Sequence, residues 1–327
     1  MILVCGLLAD ALIELICARL NDLGYDYLFF DQLRFPGVYD LTWELGPHGL
    51  RGTVSSPERT VDISELTGVY ARYVNHRGGK EDERFTKHER EIVSAEYQLS
   101  LMQLMELLPC TVINRASASI SNDSKVYQSF LAEVVGLRTP RTLVTTDPEQ
   151  ARSFYEACRG RVIYKSLSSV RSVVARLSDG DFEERIQRVA NCPTQFQEVV
   201  EGVDIRVHTV GSEVFATEIV SDANDYRYAG RDGRSLSMRP VDIPADVADA
   251  CLRMAGTLGL ELSGVDLRRG PDGVYYCFEI NPSPGFIFYE RVTGQPISEA
   301  VAKLLRRDRP HAPSLTPANR QIYPSGS

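Results

Sequence analysis

The N-terminal part of the chain alternates between short apolar runs and apolar residues at helical spacing. Residues 1–8 are a mostly apolar run that predicts a buried strand, and residues 9–23 carry leucine and isoleucine at the spacing of one helix face. A second strand is predicted at 25–30, after Gly24 ends the helix. This strand–helix–strand order predicts a parallel sheet. Only Gly6 lies between the first strand and the helix, so the pattern argues against a glycine-rich dinucleotide-binding turn.

A smaller α/β region follows Pro140, which marks a predicted lobe boundary. Before it, short strands are predicted within 40–74, and a long helical stripe at 82–108 ends at Pro109. The other elements predicted before residue 195 are strands at 111–114, 141–145, 161–165 and 173–177 and helices at 122–135, 148–158 and near 180–190.

From Gln195 the pattern changes to longer strands, which predicts an antiparallel sheet. The predicted strands are 195–200, 203–210, 213–220, 261–269 and 273–281, and the predicted helices are 244–258 and 298–307. The fold class is therefore α/β with an N-terminal parallel-sheet lobe, a small middle lobe and a C-terminal antiparallel-sheet lobe. The predicted boundaries are 1–120, 121–194 and 195–307, followed by a polar, proline-containing tail at 308–327 that is expected to be disordered.

Composition and charge argue against several kinds of partner and against secretion or a membrane location. The 327 residues carry a net charge of −8, and an acidic chain is not typical of a nucleic-acid binder. No apolar run is long enough to span a membrane, and the N-terminus lacks the basic region of a signal peptide. The seven cysteines have no C-x-x-C spacing, which argues against a disulfide framework or a zinc knuckle. A cytoplasmic enzyme is expected.

The strongest chemical signal is a pair of strand-like segments near the C-terminus. Gly264-Val-Asp-Leu267 and Phe278-Glu-Ile-Asn-Pro282 flank a glycine-containing turn. Paired as a hairpin, they bring Asp266 close to Glu279 and Asn281, and the last two share one strand face. Hard oxygen donors of this kind suit Mg²⁺. The alternative is an acidic sheet face that is merely solvated.

Two weaker signals precede this hairpin. Lys165 ends an otherwise apolar strand, where its charge suits a phosphate group, although an ordinary surface lysine remains the alternative. The segment from Gln197 to Arg206 contains two short strands joined by an acidic, glycine-containing turn. Backbone groups of such a turn can pair with an adenine edge, and an acidic side chain can accept from ribose hydroxyls.

Together these motifs resemble the ATP-grasp ligases over about residues 120–305, which implies an ATP-grasp fold with bound ATP and Mg²⁺. The stretch Asn122-Asp-Ser-Lys125 resembles the entry to that family's middle lobe. By this resemblance the nucleotide-binding residues are Lys125, Lys165, Glu198, Val199, Val200, Glu201 and Asp204, and the metal ligands are Asp266, Glu279 and Asn281. The resemblance further implies ATP-dependent activation of a carboxylate as an acyl phosphate, which an amine or hydroxyl then attacks. Arg206 and Arg227 are the cations expected to stabilise the transferring phosphoryl group; a surface salt bridge of Arg227 with Asp222 or Asp225 is the alternative.

Asp225-Tyr-Arg227 and the segment Asn281–Glu290 resemble one branch, the graspetide ligases that cross-link acidic side chains of ribosomal peptides. The loop 166–172 contains no glycine, unlike the lid of ribosomal-protein glutamate ligases. The implied partner is an acidic precursor peptide with a leader segment, and the stretch 168–190 is expected to grip it, unless its apolar residues simply pack the middle lobe. The alternative is an ATP-grasp ligase that joins free amino acids or adds an amino acid to a protein or small-molecule carboxylate. A non-catalytic nucleotide-binding scaffold is a further alternative, which an intact set of metal ligands argues against. A homodimer is compatible with any of these.

Overall fold

The computed structural model describes residues 1–47, 49–73, 85–120, 124–167, 175–176, 182–221 and 236–306. The chain divides into two compact units: Ala118–Ile297 forms one, and Met1–Ser117 together with the chain from Ser298 onward forms the other. No helix of the described residues is long and apolar enough to cross a membrane. The predicted lobe boundaries at 120, 194 and 307 remain predictions.

The first unit is built on a parallel sheet. Its elements in chain order are β1 (Ile2–Gly6), α1 (Ala11–Asp22), β2 (Tyr27–Asp31), β3 (Asp40–Gly46), β4 (Gly49–Ser55), β5 (Thr60–Asp62), β6 (Gly68–Ala71), α2 (Lys87–Leu107) and β7 (Thr111–Ile113). The parallel strands have the order β2-β1-β6-β7, and β3-β4-β5 form a separate antiparallel sheet. The parallel sheet predicted at the N-terminus is therefore confirmed.

Close helix packing accounts for the one glycine at the end of β1. A Cβ at Gly6 would lie 2.5 Å from Cδ1 of Ile13 in α1, so the glycine lets the helix approach the sheet. A similar contact is made at Gly68, where a Cβ would lie 2.3 Å from the carbonyl oxygen of Leu305 in the C-terminal helix. Both glycines therefore serve packing.

The second unit begins with two helices and a small antiparallel sheet. Its elements up to residue 198 are α3 (Ala116–Ser119), α4 (Lys125–Val134), β8 (Thr142–Thr145), α5 (Pro148–Ala157), β9 (Val162–Lys165), β10 (Ala175–Arg176), α6 (Phe182–Gln187) and β11 (Thr194–Glu198). The strands have the order β10-β9-β11-β8, here called the middle sheet. Phe196 of β11 packs with α5 and α6 in a core on one face of this sheet.

A larger antiparallel sheet completes the second unit. The remaining elements of this unit are β12 (Val203–Val210), β13 (Glu213–Ser221), β14 (Leu236–Pro240), α7 (Ala245–Thr257), β15 (Leu262–Arg269), β16 (Tyr275–Asn281) and α8 (Ile287–Thr293). The last helix, α9 (Ile297–Arg306), belongs to the first unit from Ser298 onward. The strand order is β14-β13-β12-β15-β16, and α7 packs on one face. This confirms the predicted C-terminal antiparallel sheet and the α/β class. Strand β14 and helix α8 were not predicted.

Candidate active site

Two carboxylates and one amide lie side by side on the β15–β16 hairpin. Asp266 pairs directly with Glu279, and Asn281 lies two residues further along β16 on the same face. The intervening Val265 and Ile280 are fully buried in the core on the other face. The side chains of Asp266 and Glu279 remain 26% and 32% exposed, so this face is open to a ligand. The structure thus brings together the oxygen donors that the sequence predicted.

Arg206 of the neighbouring strand β12 lies against this carboxylate pair. Its Nη1 donates to Oδ1 of Asp266 at 2.6 Å, and only 6% of the arginine side chain is exposed. Gly264 makes room for it, because a Cβ there would lie 2.0 Å from Nη2. The guanidinium also lies 5.9 Å from the ring centre of Tyr289, within cation–π range. Arg206 is therefore a fixed, buried cation beside Asp266.

The buried side chain of His208 contacts Arg206 and helps to hold it in place. It lies two residues further along β12 on the same face, is fully buried, and accepts at Nε2 from Nε of Arg206 at a long 3.5 Å. Its ring meets that of Tyr289 edge-on at 4.8 Å. Burial, and then the charge of Arg206, hold the pKa of His208 well below its ordinary value. The neutral imidazole can therefore accept from Arg206 without adding a second charge.

A single side chain attaches α4 to the edge of β16. Nε2 of Gln128 donates to the carbonyl of Ile280 at 2.9 Å, and Oε1 accepts from the Ile280 N–H at 3.2 Å. The amide thus makes the pair of bonds that another strand would make there. At the start of the same helix, Nζ of Lys125 lies 3.9 Å from Oε2 of Glu279. Gln128 therefore positions Lys125 beside Glu279.

Lys165 reaches the same region from the middle sheet. It is 7% exposed, and its Nζ donates to Oε1 of Gln197 at 3.2 Å. Burial first, and then the neighbouring Lys125, lower the pKa of Lys165 to about 8, against the opposing effect of Glu279. Lys165 therefore lies within electrostatic reach of both the other lysine and the hairpin carboxylate. A bound anion would restore the ordinary stability of its charged form.

The predicted adenine-binding linker, residues 198–201, connects β11 to β12. Arg268 ties it to the sheet: its Nη1 donates to the Val200 carbonyl at 3.0 Å, and its Nε donates to Oδ1 of Asp204 at 2.7 Å. The carboxylate expected to bind ribose is thus held in place by an arginine, and it remains partly exposed.

Two backbone N–H groups of the linker are available to bind a ligand. The N–H groups of Glu198 and Val199 donate to carbonyl groups that precede β8 and β9. Within the described part of the chain, no protein acceptor is recorded for the N–H groups of Val200 and Glu201. A planar base with acceptor nitrogens could therefore pair with the second half of the linker.

The donor set of the hairpin fits a magnesium ion. Asp266 and Glu279 supply carboxylate oxygens and Asn281 an amide oxygen, while phosphate and water oxygens ordinarily complete such a site. Among the described residues there is no cluster of three or more His, Cys, Asp or Glu side chains that would indicate a different metal centre. The roles of these residues remain predictions.

Several predicted residues lie outside the described part of the chain. They are Arg227 with its neighbours Asp225 and Tyr226, the segment 122–123, residues 168–172 of the loop after Lys165, Val173, Val174 and the tail 308–327. Phe182, expected to grip a peptide, is described: it is 7% exposed and stacks on Tyr155 at 4.2 Å. It therefore packs the core of the middle sheet.

The sequence analysis did not predict His208 and Gln128, the residues that position the predicted cations Arg206 and Lys125. For His208 the sequence contained a usable pattern. Asp204, Arg206 and His208 are polar at every second position of a strand, which places all three on one face. The role of Gln128 had no local signal, because its partner is 152 residues away.

Comparison with known proteins identifies an ATP-grasp domain in this chain. The RimK-like ATP-grasp domain matches residues 122–305. An alpha-aminoadipate–LysW ligase, LysX, from Sulfurisphaera tokodaii is 26% identical over 231 residues, which are 68% of this chain and 78% of that protein.

Two solved structures are similar over most of the chain. A RiPP-associated ATP-grasp ligase from Chryseobacterium gregarium, in complex with ADP and a leader and core peptide, has a TM-score of 0.80 at 23% identity, covering 95% of this chain and 97% of that one. The ATP-grasp ligase PsnB, complexed with a minimal precursor, has a TM-score of 0.74 at 27% identity, covering 93% and 97%.

Proposed function

The chain belongs to the RimK-like ATP-grasp family of ligases, and from this membership we propose that it activates acidic side chains of a ribosomally synthesised precursor peptide with ATP and joins them to nucleophiles of the same peptide. The observation that carries the proposal is the convergence of Lys125, Lys165 and Arg206 on the face that holds Asp266 and Glu279. Their charges sum to 3 − 2 = +1, a local excess that favours the anionic groups of a phosphoryl transfer.

In the proposed reaction a carboxylate oxygen of the peptide attacks the γ-phosphorus of ATP, and ADP leaves. A hydroxyl or amine then attacks the carbonyl carbon of the acyl phosphate; inorganic phosphate leaves and the nucleophile loses its proton. The product is an ester or an amide. Mg²⁺ held by the hairpin would neutralise phosphate charge. The main barrier is the approach of two anions, which fixed cations lower.

Each part of the site is proposed to bind a different part of ATP. Linker residues 198–201 are proposed to hold the adenine and Asp204 the ribose. Lys125 and Lys165 are proposed to hold phosphate oxygens. Arg206 is proposed to contact the transferring phosphoryl group. A cation already fixed on a carboxylate needs little reorganisation during the reaction, which is how preorganised charges accelerate a chemical step.

The proposal of a peptide substrate is supported by the structural comparisons. PsnB, similar over 93% of this chain, was solved with a precursor peptide. An acidic peptide with a leader segment is therefore proposed as the partner, and the cytosol as the compartment. The number of bonds formed and a homodimeric assembly remain open to experiment.

The substrate class is tested by mass. The protein is incubated with ATP, Mg²⁺ and a candidate acidic precursor peptide, and the peptide is weighed before and after. Cross-linking within the peptide removes the mass of one water for each bond and releases one ADP for each bond. ADP release that exceeds the bonds formed, or that does not require the peptide, would contradict the proposal.

The second candidate is ligation of a free amino acid. The curated relatives favour it, since they include ligases such as LysX and a ribosomal protein bS6–L-glutamate ligase from Salmonella paratyphi B, 26% identical over 220 residues. A gain in mass equal to one amino-acid residue, or ATP turnover driven by free amino acids alone, would support this candidate.

A further inference from the structure

Four charged side chains of alternating sign lie together on the site face of the five-stranded sheet. Asp204 and Arg206 of β12 pair directly with Arg268 and Asp266 of β15, and residues two apart on a strand share a face. Each carboxylate therefore lies opposite an arginine of the neighbouring strand. Arg206 is proposed to contact the transferring phosphoryl group, whereas Arg268 has no part in the proposed chemical step.

The guanidinium of Arg268 is held by contacts on three sides. Its Nε donates to Oδ1 of Asp204 at 2.7 Å, and its Nη2 lies 2.7 Å from the same oxygen. Its Nη1 donates to the Val200 carbonyl at 3.0 Å. On the β16 side, Cζ lies 5.3 Å from the ring centre of Phe278, within cation–π range. These contacts fix the guanidinium between the linker and β12.

The bond to Val200 also orients a backbone donor of the linker. The carbonyl of Val200 and the N–H of Glu201 belong to one planar trans peptide group and point in opposite directions. Arg268 therefore fixes the direction of the Glu201 N–H and, by polarising the amide, strengthens it as a donor. This N–H is one of the two linker donors for which the described part of the chain records no protein acceptor.

The bonds to Asp204 orient a carboxylate in the same way. A carboxylate has room for about four hydrogen bonds, so those from Arg268 do not preclude one from a ribose hydroxyl. A carboxylate that is already fixed binds a hydroxyl more tightly, because less rotational freedom is lost on binding. One guanidinium reaches both Asp204 and the Val200 carbonyl. The carboxylate and the linker donor are therefore close enough to bind adjacent parts of one nucleoside.

We propose that Arg268 is a positioning residue for nucleotide recognition, which fixes the linker donor for the base and the Asp204 carboxylate for the ribose at the same time. The inference rests on the proposed function, since it assumes that the linker binds adenine and Asp204 the ribose. Arg268 acts through these two groups. Its loss should therefore weaken binding of ATP more than binding of a nucleotide that lacks the hydroxyl held by Asp204.

The test measures nucleotide affinity by calorimetry with Mg²⁺ present and without peptide. The ligands are ATP, 2′-deoxy-ATP and 3′-deoxy-ATP. Wild-type protein should prefer ATP to at least one deoxynucleotide by about 10-fold or more, because hydrogen bonds to charged groups are strong. Arg268→Met should lose most of that preference.

The matched control is Arg269→Met, the same substitution at the next residue. Arg269 lies on the opposite face of β15, where its Nη2 donates to Oε2 of Glu218 at 2.7 Å, and its exposure of 33% is close to the 27% of Arg268. It should keep the wild-type preference. An equal loss in the two variants would follow from general damage to the sheet and would overturn the inference.

The remaining outcomes separate this inference from the proposed function. A full preference retained in Arg268→Met would show the inference to be wrong. If wild-type protein binds ATP with no preference for a ribose hydroxyl, Asp204 does not bind ribose and the inference fails with that assignment. If wild-type protein binds no ATP, the proposed function itself fails.

A double variant distinguishes positioning from direct contact. If Arg268 acts through Asp204, Asp204→Ala alone should remove the preference as fully as Asp204→Ala combined with Arg268→Met. A preference that survives in Asp204→Ala and disappears only in the double variant would mean that Arg268 binds the hydroxyl itself, and would overturn the positioning role. Melting curves check that each variant is folded. If Arg268→Met is not, Arg268→Lys replaces it: lysine lacks the fork that holds both oxygens, so the preference should still fall, and a full preference would again refute the inference.

Discussion

Replacing Lys165 with methionine should weaken ATP binding and stabilise the fold near neutral pH. Lys165 is 7% exposed, and its pKa is lowered from the ordinary 10.5 to about 8, first by burial and then by Lys125. At about 1.4 kcal/mol for each pH unit, keeping this lysine charged in the folded protein costs roughly 3 kcal/mol relative to the unfolded chain. The methionine variant avoids that cost, and loses the bond to Gln197.

The sign of the pH dependence follows from the lowered pKa. Below about pH 8 the folded and unfolded states both carry the proton, so the cost is present in full. Between about pH 8 and 10.5 the folded protein releases the proton first, and the free energy of unfolding of the wild type rises through this window. The advantage of Lys165→Met should therefore shrink as the pH rises.

The assay is urea unfolding of both proteins at several pH values from about 7 to about 10, together with ATP titrations at the same pH values. Lys303→Met is the control, because it makes the same change of side chain at a lysine that is 52% exposed. ATP affinity of the wild type should also fall above about pH 8, where Lys165 loses its charge. Parallel stability curves for wild type and Lys165→Met across the whole range would refute the reasoning.

Four further substitutions probe the same site. Glu279→Ala and Asn281→Ala should abolish Mg²⁺-dependent ADP release with little change in melting temperature, because the backbone pairing of β16 is kept; near-normal release would contradict their assignment as metal ligands. Gln128→Leu leaves two buried backbone groups of the β16 edge unpaired and should cost about 1–3 kcal/mol in urea unfolding; an unchanged midpoint would count against its anchoring role. Arg206→Lys should bind ATP almost normally yet lose about 100-fold or more in turnover, because lysine lacks the guanidinium fork; wild-type turnover would exclude that role.

The sequence predicted the site most reliably where chemistry and strand periodicity agree. The hairpin that carries Asp266, Glu279 and Asn281 was predicted from two strand-like runs around a glycine turn, and the structure gives the expected pairing. The bulge after Asp266 could not be predicted, because it depends on how the two strands pair.

The failure to predict strand β14 and helix α8 is explained by their local sequences. Strand β14 ends at Pro240 and is short, so it lacked a clear alternating pattern. Helix α8 has seven residues, and its apolar start resembles a strand; the signal for its end was Gly294, which has a positive φ of 72°.

The supporting contacts could not be predicted from sequence, because they join distant segments. Gln128 meets β16 across 152 residues, and Gly264 makes room for an arginine on the adjacent strand. A linear pattern reveals which residues can do chemistry, and the packing that positions them appears only when the chain is folded.

The central claim, that this chain activates a carboxylate by transferring phosphate to it, is tested most directly by following the carboxylate oxygens. An acidic peptide whose side-chain carboxylates carry a heavy oxygen isotope is incubated with the protein, ATP and Mg²⁺, and the released inorganic phosphate is examined by mass spectrometry. The account predicts one heavy oxygen in each phosphate released, because the carboxylate oxygen attacks phosphorus and leaves with it. Phosphate that carries oxygen only from ATP and the solvent would show that water attacks ATP, and would contradict the claim.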